Sequence, residues 1–295
     1  MAHLVLVRRC FESAGEPQWF TVVDLGQNVC VYENVIVPFD GSPQGRSALA
    51  PAGDLAWRCG AKIVIVNNTD ASDRASRDAL KSRAMSLSGS DVDFWVDLEH
   101  SLGRALVEAS RFRPNPILCI SVKTKAGGLL KGKRFSLPPI AEEVLRDAPV
   151  PVLVIGPEAD TSRGLPLTEL VVSTDGSPSA EQVFSLGVEF SRALKLKFML
   201  VGVVHESAED IAGERAYLEE KVTGLRGQLS EVNYELVKST DPASGLVSFM
   251  QGRDDAILAM STHGRSGPNR NPLGGVASKV LSQCKRAVLF RRPTA

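Results

Sequence analysis

The sequence predicts two tandem α/β domains, each a doubly wound sheet of five parallel strands with helices on both faces. Three observations carry this prediction: an internal repeat, short apolar runs that alternate with segments of helical periodicity, and predicted strands that are apolar along their whole length. Fully apolar strands are typical of parallel sheets that are covered on both faces. The length of 295 residues agrees with two domains, because a domain commonly has about 150 residues.

The repeat has an offset of 135 residues. The tetrapeptide DGSP occurs at 40–43 and again at 175–178, and the apolar run KIVIV at 62–66 corresponds to KFMLV at 197–201. The two halves also end on similar runs, VPVLVIGP and RAVLFRRP. Agreement at the start, the middle and the end of each half indicates a duplication.

The duplication gives the predicted domain boundaries. The first domain spans residues 34–157 and the second spans residues 169–295. Residues 158–168 are rich in Pro, Gly and polar side chains, and we predict a linker there. Residues 1–33 are an N-terminal extension, in which FTVVDL and NVCVYE suggest two short strands around Gly26.

Each predicted strand is a short apolar run that is followed by a turn signal. In the second domain the strands are predicted at 170–174, 198–204, 233–237, 256–260 and 287–290. The helices between them are predicted from Ser177 or Ser179 to Leu194, over 208–229, from Ser239 or Asp241 onward, and over 276–284. In the first domain the strands are predicted at 35–39, 62–66, 92–96, 116–122 and 151–155.

Each domain ends on an apolar strand, 152–155 in the first and 288–290 in the second. Such a strand would be an exposed edge if its domain stood alone. We therefore predict that the two edges pair antiparallel and make the chain an intramolecular pseudo-dimer. A homodimer of the whole chain stays open as a further possibility.

Composition argues against several classes of protein. Lys plus Arg and Asp plus Glu each number 34, so the net charge of zero does not favour a nucleic-acid partner. We expect no membrane span, because no run of about 18 apolar residues is present. The start MAHLVLVRRC places arginines after an apolar run, the reverse of an export signal. Five cysteines without a CxxC pair are expected to be free thiols, which favours a cytoplasmic location.

The most informative segment follows the predicted strand 256–260. It has the sequence MSTHGRSG over 260–267 and continues as LGGV over 273–276. Glycines let a backbone approach a polyphosphate closely, and a helix that begins near Val276 would direct free N–H groups at it. Arg265 could add charge-assisted contacts, as could Arg270. By itself the pattern also fits a plain connecting loop.

These residues carry a resemblance to a known family. The second half, over about 169–292, resembles the ATP-binding kind of universal stress protein. The loop of that family has Gly, two residues, Gly, nine residues, and then Gly followed by Ser or Thr. Gly264 and Gly274 match this pattern with nine residues between them, whereas Ser261 replaces the first glycine and Gly275 replaces the hydroxyl residue. The first half resembles the same family more distantly.

The resemblance implies a Rossmann-like fold and a site for an adenine nucleotide, ATP with or without Mg²⁺, in the second half. Asp175 corresponds to the acidic residue that meets the ribose side, and Val203 to the strand residue whose backbone meets the adenine. The implied phosphate loop comprises Ser261, His263, Gly264, Arg265, Gly267, Gly274 and Gly275. For Asp175 a second interpretation exists, because DGSP is in itself a good turn and helix start.

The first half departs from the loop pattern, because Ser121, Thr124, Pro138 and Pro139 occupy the four positions. Proline has no N–H to donate to a phosphate, so we expect any ATP site in the second half only. Asp40 is then better explained as a turn residue. The first-half loop carries five basic residues, which indicate either a solvated loop or a contact for an acidic partner or an anion. They are Lys123, Lys125, Lys131, Lys133 and Arg134.

The expected function is therefore a nucleotide-binding regulatory module of the stress response, and not an enzyme. The sequence has no GxSxG elbow, no GxxxxGK[ST] loop and no clear pair of carboxylates for magnesium. Slow ATP hydrolysis stays open. The alternatives are a scaffold that binds no nucleotide and docks partners, and an adenylating enzyme of the same broad fold.

Overall fold

The computed structural model of the chain describes residues 31–39, 46–67, 78–79, 81–82, 84–86, 92–122, 135–160, 164–165, 167–265 and 271–293, and the backbone of residues 5–7 and 20–22. The strands in this part of the chain are β1 (Val5–Val7), β2 (Phe20–Val22), β3 (Asn34–Pro38), β4 (Lys62–Asn67), β5 (Val92–Val96), β6 (Pro116–Ser121), β7 (Val152–Ile155), β8 (Glu169–Thr174), β9 (Lys197–Val204), β10 (Val232–Lys238), β11 (Ala256–Ser261) and β12 (Val288–Arg291). The helices are α1 (Arg46–Cys59), α2 (Leu102–Phe112), α3 (Pro139–Asp147), α4 (Pro178–Glu181), α5 (Val183–Leu194), α6 (Ile211–Leu225), α7 (Pro242–Met250) and α8 (Gly275–Gln283).

Strands β3 to β12 form one ten-stranded sheet in the order β10-β9-β8-β11-β12-β7-β6-β3-β4-β5. Within each half the five strands are parallel and follow the order 3-2-1-4-5. This is the order of a doubly wound sheet, in which the chain starts in the middle and winds outward in both directions. The predicted fold class is confirmed, and most strand ends lie within one residue of the prediction.

The two halves join through their last strands. β12 pairs antiparallel with β7, and the register places Leu289 opposite Leu153 and Phe290 opposite Val152. All four of these side chains are buried. The predicted antiparallel pairing of the final strands is confirmed, and the sheet runs without interruption from one half into the other.

Helices cover both faces of the sheet, and each face has its own core. One core joins residues of α1, α5 and α6 to one side of the strands, and it includes Phe190 and Phe198. The other joins α2, α3, α7 and α8 to the opposite side, and it includes Phe290. Because each core contains residues of both halves, burial stabilises the halves jointly.

The predicted linker packs against the first half. Leu165 and Leu167 are buried in the core beside α1. The carboxylate of Asp54 accepts a hydrogen bond of 2.7 Å from the Leu165 N–H, and the Arg58 guanidinium donates to the carbonyls of Leu165 and Leu167 at 3.4 and 3.3 Å. The described linker residues therefore form part of the folded body rather than a free connection.

The N-terminal extension differs from the expectation of two strands around Gly26. β2 lies inside FTVVDL as predicted, but it pairs antiparallel with β1, which the sequence did not suggest. The described residues 31–33 of NVCVYE form no strand, so that prediction is wrong there. Tyr32 instead packs against Phe190 of the second half, with ring centroids 6.0 Å apart.

Candidate functional site

The candidate site is a crevice at the carboxyl ends of β8, β9 and β11. β8 lies between β9 and β11, and the chain leaves β8 toward helices on one face and leaves β11 toward α8 on the other face. Doubly wound sheets bind ligands at such a topological switch point, where the connections from two neighbouring strands go to opposite faces of the sheet. β9 continues past the end of β8, since Thr174 pairs with Gly202 while Val203 and Val204 pair only with β10. The backbone of Val203 therefore lies beside the end of β8, and its contact with an adenine stays a prediction.

Asp175 holds the two sides of this crevice together. Its Oδ2 accepts a hydrogen bond of 2.9 Å from the backbone N–H of Arg265, and its own carbonyl accepts one of 2.9 Å from Arg265 Nε. Its Oδ1 accepts from the backbone N–H and the hydroxyl of Ser177 at 3.0 and 2.6 Å. Burial alone would raise the pKa of Asp175, but these hydrogen bonds outweigh it and lower the pKa below 3.8.

Gly264 makes this contact possible. A Cβ atom at position 264 would lie 2.2 Å from Asp175 Oδ2 and 3.0 Å from its Cγ. The carboxylate and a side chain at 264 therefore exclude each other. The sequence motif predicts a glycine that admits a phosphate, whereas in the structure the same glycine admits a carboxylate.

We expect Gly264→Ala to lower the free energy of unfolding by about 1–3 kcal/mol, because it displaces Asp175 from the Arg265 amide. In an Asp175→Ala background the same substitution should cost close to nothing, since the clash is gone. Denaturant unfolding of the four proteins measures the cycle. Gly275→Ala is the matched control, because no described residue lies within 4 Å of a Cβ there. Equal costs in both backgrounds would contradict the role of Gly264.

A network on the α6 side forms one wall of the crevice. The Tyr217 hydroxyl donates to Glu181 at 2.7 Å and lies 3.3 Å from the Thr174 hydroxyl. Lys221 pairs with Glu181 at 2.9 Å. Burial first, and then Glu181, raise the pKa of Tyr217 to about 12, so the phenol stays protonated at neutral pH. Arg265 extends toward this wall, 4.0 Å from Glu214.

His263 bonds within its own loop. The ring is buried, its Nε2 donates to the carbonyl of Asn271 at 3.0 Å, and its Nδ1 lies 3.1 Å from the Thr262 hydroxyl. Because both ring nitrogens have partners inside the chain, His263 closes the base of the loop. The intervening residues 266–270, with the predicted site residue Gly267, lie outside the described part of the chain.

Ser261 occupies the position of the first glycine of the loop pattern. It ends β11 opposite Arg291 of β12 and is 6% exposed. Its hydroxyl has no hydrogen-bond partner among the described residues. A buried hydroxyl without a partner is unfavourable, so this substitution carries a cost in the folded protein.

The first turn of α8 has no side-chain cap in the described part of the chain. Four other helices have a side-chain cap at their N-terminus: α2 has Ser101, α4 has Ser177, α6 has Asp210 and α7 has Asp241. The N-cap residue of α8 is Gly274, which has no side chain. The Gly274 N–H donates to the carbonyl of Thr262 at 2.8 Å, which holds the start of α8 beside the residue that follows β11. The amides of 275–277 have no acceptor in the described part of the chain. Such amides form a ready binding site for a phosphate.

The first half lacks this arrangement. α3 corresponds to α8 with an offset of 136 residues, and it begins at Pro138 followed by Pro139, which have no amide hydrogens. The absence of a phosphate loop in the first half stays a prediction. Asp40 and the basic residues 123–134 lie outside the described part of the chain.

Asp241 and Lys279 form an ion pair beside the α8 helix. Lys279 Nζ lies 2.8 Å from Asp241 Oδ2 and 3.2 Å from the Ser244 hydroxyl. Asp241 Oδ2 also accepts from the Ser244 N–H at 2.7 Å. The hydrogen bond from Lys279, followed by those from Ser244, lowers the pKa of Asp241 from 3.8 to about 2.

This lowered pKa predicts a pH dependence. A carboxylate whose folded-state pKa is depressed stabilises the protein above its unfolded pKa, and that stabilisation disappears as the pH falls through the folded pKa. We expect the parent to melt slightly higher than Asp241→Asn above pH 4, with the difference fading toward pH 2. The effect is small because both side chains are half-exposed. A difference that does not change between pH 6 and pH 2 would contradict it.

Three side chains at the crevice carry no sequence signal that assigns them to the site: Tyr217, Glu181 and Lys279. Tyr217 lies on α6, which follows β9, and Lys279 lies on α8, which follows β11, so only the fold brings both of them to the loop that follows β8. The nearest to such a signal was the position of Lys279, one helical turn after Gly275.

Comparisons with known proteins agree with this architecture. The family model of the universal stress protein family matches residues 167–292. A universal stress protein from Archaeoglobus fulgidus DSM 4304 is similar with a TM-score of 0.62 and 16% identity, over 88% of this chain and 98% of that chain. A functionally unknown protein from Pseudomonas aeruginosa PAO1 is similar with a TM-score of 0.58 and 16% identity, over 90% and 95%. A comparison with curated protein sequences found no match.

The same fold is found in a different setting. The cytoplasmic domain of a prokaryotic cation chloride cotransporter is similar with a TM-score of 0.50 and 12% identity, over 88% of this chain and 95% of that chain. At these identities the likeness concerns the fold alone. In the described part of this chain, no helix is both long and apolar enough to cross a membrane.

Proposed function

We propose, from the premise that residues 167–292 are a domain of the universal stress protein family, that this domain binds an adenine nucleotide in its crevice. ATP, alone or with Mg²⁺, is the proposed ligand. The proposed role is that of a regulatory module in the stress response, in which nucleotide occupancy changes how the protein meets its partners. The first half contributes the other side of the sheet and no second nucleotide site.

The observation that carries the proposal is the first turn of α8. The amides of residues 275–277 have no acceptor among the described residues, and they lie with the positive end of the helix dipole at the carboxyl end of β11. Gly274 and Gly275 have no side chain that would cover them. A phosphate is the chemical group that such a turn binds best. At the other side of the crevice, Val203 lies beyond the pairing of β9 with β8, and its backbone is the proposed contact for the adenine.

We propose binding rather than turnover as the role of this site. The carboxylate of Asp175 is occupied by Ser177 and Arg265, and the ring nitrogens of His263 bond within the loop. Neither residue therefore supplies a free base beside the phosphate path. Free phosphate released from ATP by the purified protein should stay at the level of the buffer.

A scaffold without nucleotide is the second candidate function. The clamp between Asp175 and Arg265 and the bond from Gly274 to Thr262 hold the two described ends of the loop through contacts within the chain. A loop that is held in this way can serve to stabilise the sheet and dock partners.

One measurement separates the two candidates. Purified protein is denatured, and the supernatant is analysed for nucleotide by ion-pair chromatography; the refolded or nucleotide-free protein is then titrated with ATP and with GTP by calorimetry. We expect adenine nucleotide in the supernatant and binding of ATP in preference to GTP. A protein that carries no nucleotide and gives no heat with either one would favour the scaffold.

A further inference from the structure

We infer that Lys279 makes the site distinguish nucleotides by the length of their phosphate chain, by leaving Asp241 and binding the terminal phosphate of a triphosphate. This inference rests on the proposed function and names the residue that would give it selectivity. Lys279 would replace the hydroxyl that Gly275 lacks, with a charged donor in place of a neutral one.

The position of Lys279 on α8 allows this contact. Residues 275 and 279 are four apart, so they lie on the same face of the helix one turn from each other. Helical side chains lean toward the N-terminus, which directs the lysine stem at position 279 back toward the first turn. Gly275 presents no side chain in between, and no described residue lies within 4 Å of the position of its missing Cβ.

The present partner of Lys279 can be exchanged at little cost. The ion pair with Asp241 is exposed to solvent by 40% at the lysine and 41% at the aspartate, and such pairs contribute little to stability. When the ammonium leaves, Asp241 keeps its hydrogen bond from the Ser244 N–H and still caps α7. A terminal phosphate carries more charge than a carboxylate and accepts through several oxygens, so it competes well for the ammonium.

The first half provides an internal comparison. Glu143 stands at the position of Lys279, at the offset of 136 residues that relates α3 to α8. Glu143 also bonds to the residue that caps the preceding helix, since it accepts from the Ser101 hydroxyl. The half whose helix offers phosphate-binding amides thus has a cation at this position, and the half whose helix starts with two prolines has an anion.

The test is calorimetry on the full chain with ATP, ADP and AMP. We expect Lys279→Met to weaken ATP binding about tenfold, the size of one charge-assisted hydrogen bond at the lower end, and to change AMP binding less than twofold. Asp241→Asn keeps an oxygen for capping α7 but removes the competing charge, so ATP binding should strengthen by about threefold.

Lys285→Met is the matched control. It removes the same charge just beyond the other end of α8, where Lys285 is exposed, and should leave all three affinities unchanged. Equal loss for ATP and AMP in Lys279→Met, or no loss at all, would overturn the inference while the parent still binds ATP. A parent that binds none of the three nucleotides would instead overturn the proposed function. Thermal melts of each variant establish that it is folded.

Discussion

Replacing Leu289 with aspartate is expected to unfold both halves of the chain together. Leu289 is fully buried in β12, between β11 of its own half and β7 of the other half. An unpaired carboxylate at this position costs several kcal/mol, which is a large part of the roughly 5–15 kcal/mol that stabilises a folded domain. The milder Leu289→Ala should cost about 2–5 kcal/mol and leave enough folded protein for unfolding curves.

The position of the tryptophans makes this prediction specific. All three tryptophans of the chain, Trp19, Trp57 and Trp95, precede the second half. In a Trp19→Phe background the fluorescence comes from Trp57 and Trp95, so it reports on the first half, while circular dichroism reports on the whole chain. We expect both transitions of Leu289→Ala to move by the same amount, because the cores are shared across the antiparallel pair. A fluorescence transition that stays at the midpoint of the parent would mean that the halves unfold independently.

Val276→Asp is the control for introducing a carboxylate. Val276 is 39% exposed in the first turn of α8, where a negative charge interacts favourably with the helix dipole. Its free energy of unfolding should stay within about 0.5 kcal/mol of the parent.

The sheet could be predicted from the sequence because its signals are local. Each strand is an apolar run between turn residues, so its ends could be placed to about one residue. Because the halves are a repeat, the order of strands and helices in one half supports the same order in the other half. The antiparallel pairing of β7 with β12 also followed, because an apolar edge strand needs a partner. Local capping signals also predicted where helices begin. The sequence offered Ser239 or Asp241 as the start of α7, and Asp241 is its N-cap.

The site could be predicted only in part, because its contacts join residues that are distant in sequence. Asp175 and Arg265 are 90 residues apart, and no local pattern shows that the carboxylate of one reaches the amide of the other. The role of Gly264 follows from that contact, so it could not be predicted either. The burial of Leu165 and Leu167 escaped prediction for a similar reason, because a segment rich in Pro and Gly resembles a free linker whatever it packs against.

Gly274→Val is expected to abolish ATP binding at the proposed site while the protein stays folded, a loss of at least about 100-fold in affinity. The backbone at Gly274 has φ of −65°, which valine adopts without strain, so the fold has no reason to fail. A Cβ there would lie 3.4 Å from the Thr262 carbonyl and 3.7 Å from the His263 ring. The two methyl groups beyond it would press on this contact and tilt the first turn of α8.

That tilt matters because phosphate binding by a helix terminus depends on the direction of its amides. Gly224→Val is the matched control: it adds the same side chain to α6, where no residue in the described part of the chain lies within 4 Å of a Cβ, and it should bind ATP like the parent. Circular dichroism of both variants monitors folding, and calorimetry measures the affinity. Because only the loop of α8 is altered, full ATP binding by folded Gly274→Val would show that any nucleotide binds elsewhere, and the first turn of α8 would then have no part in the function.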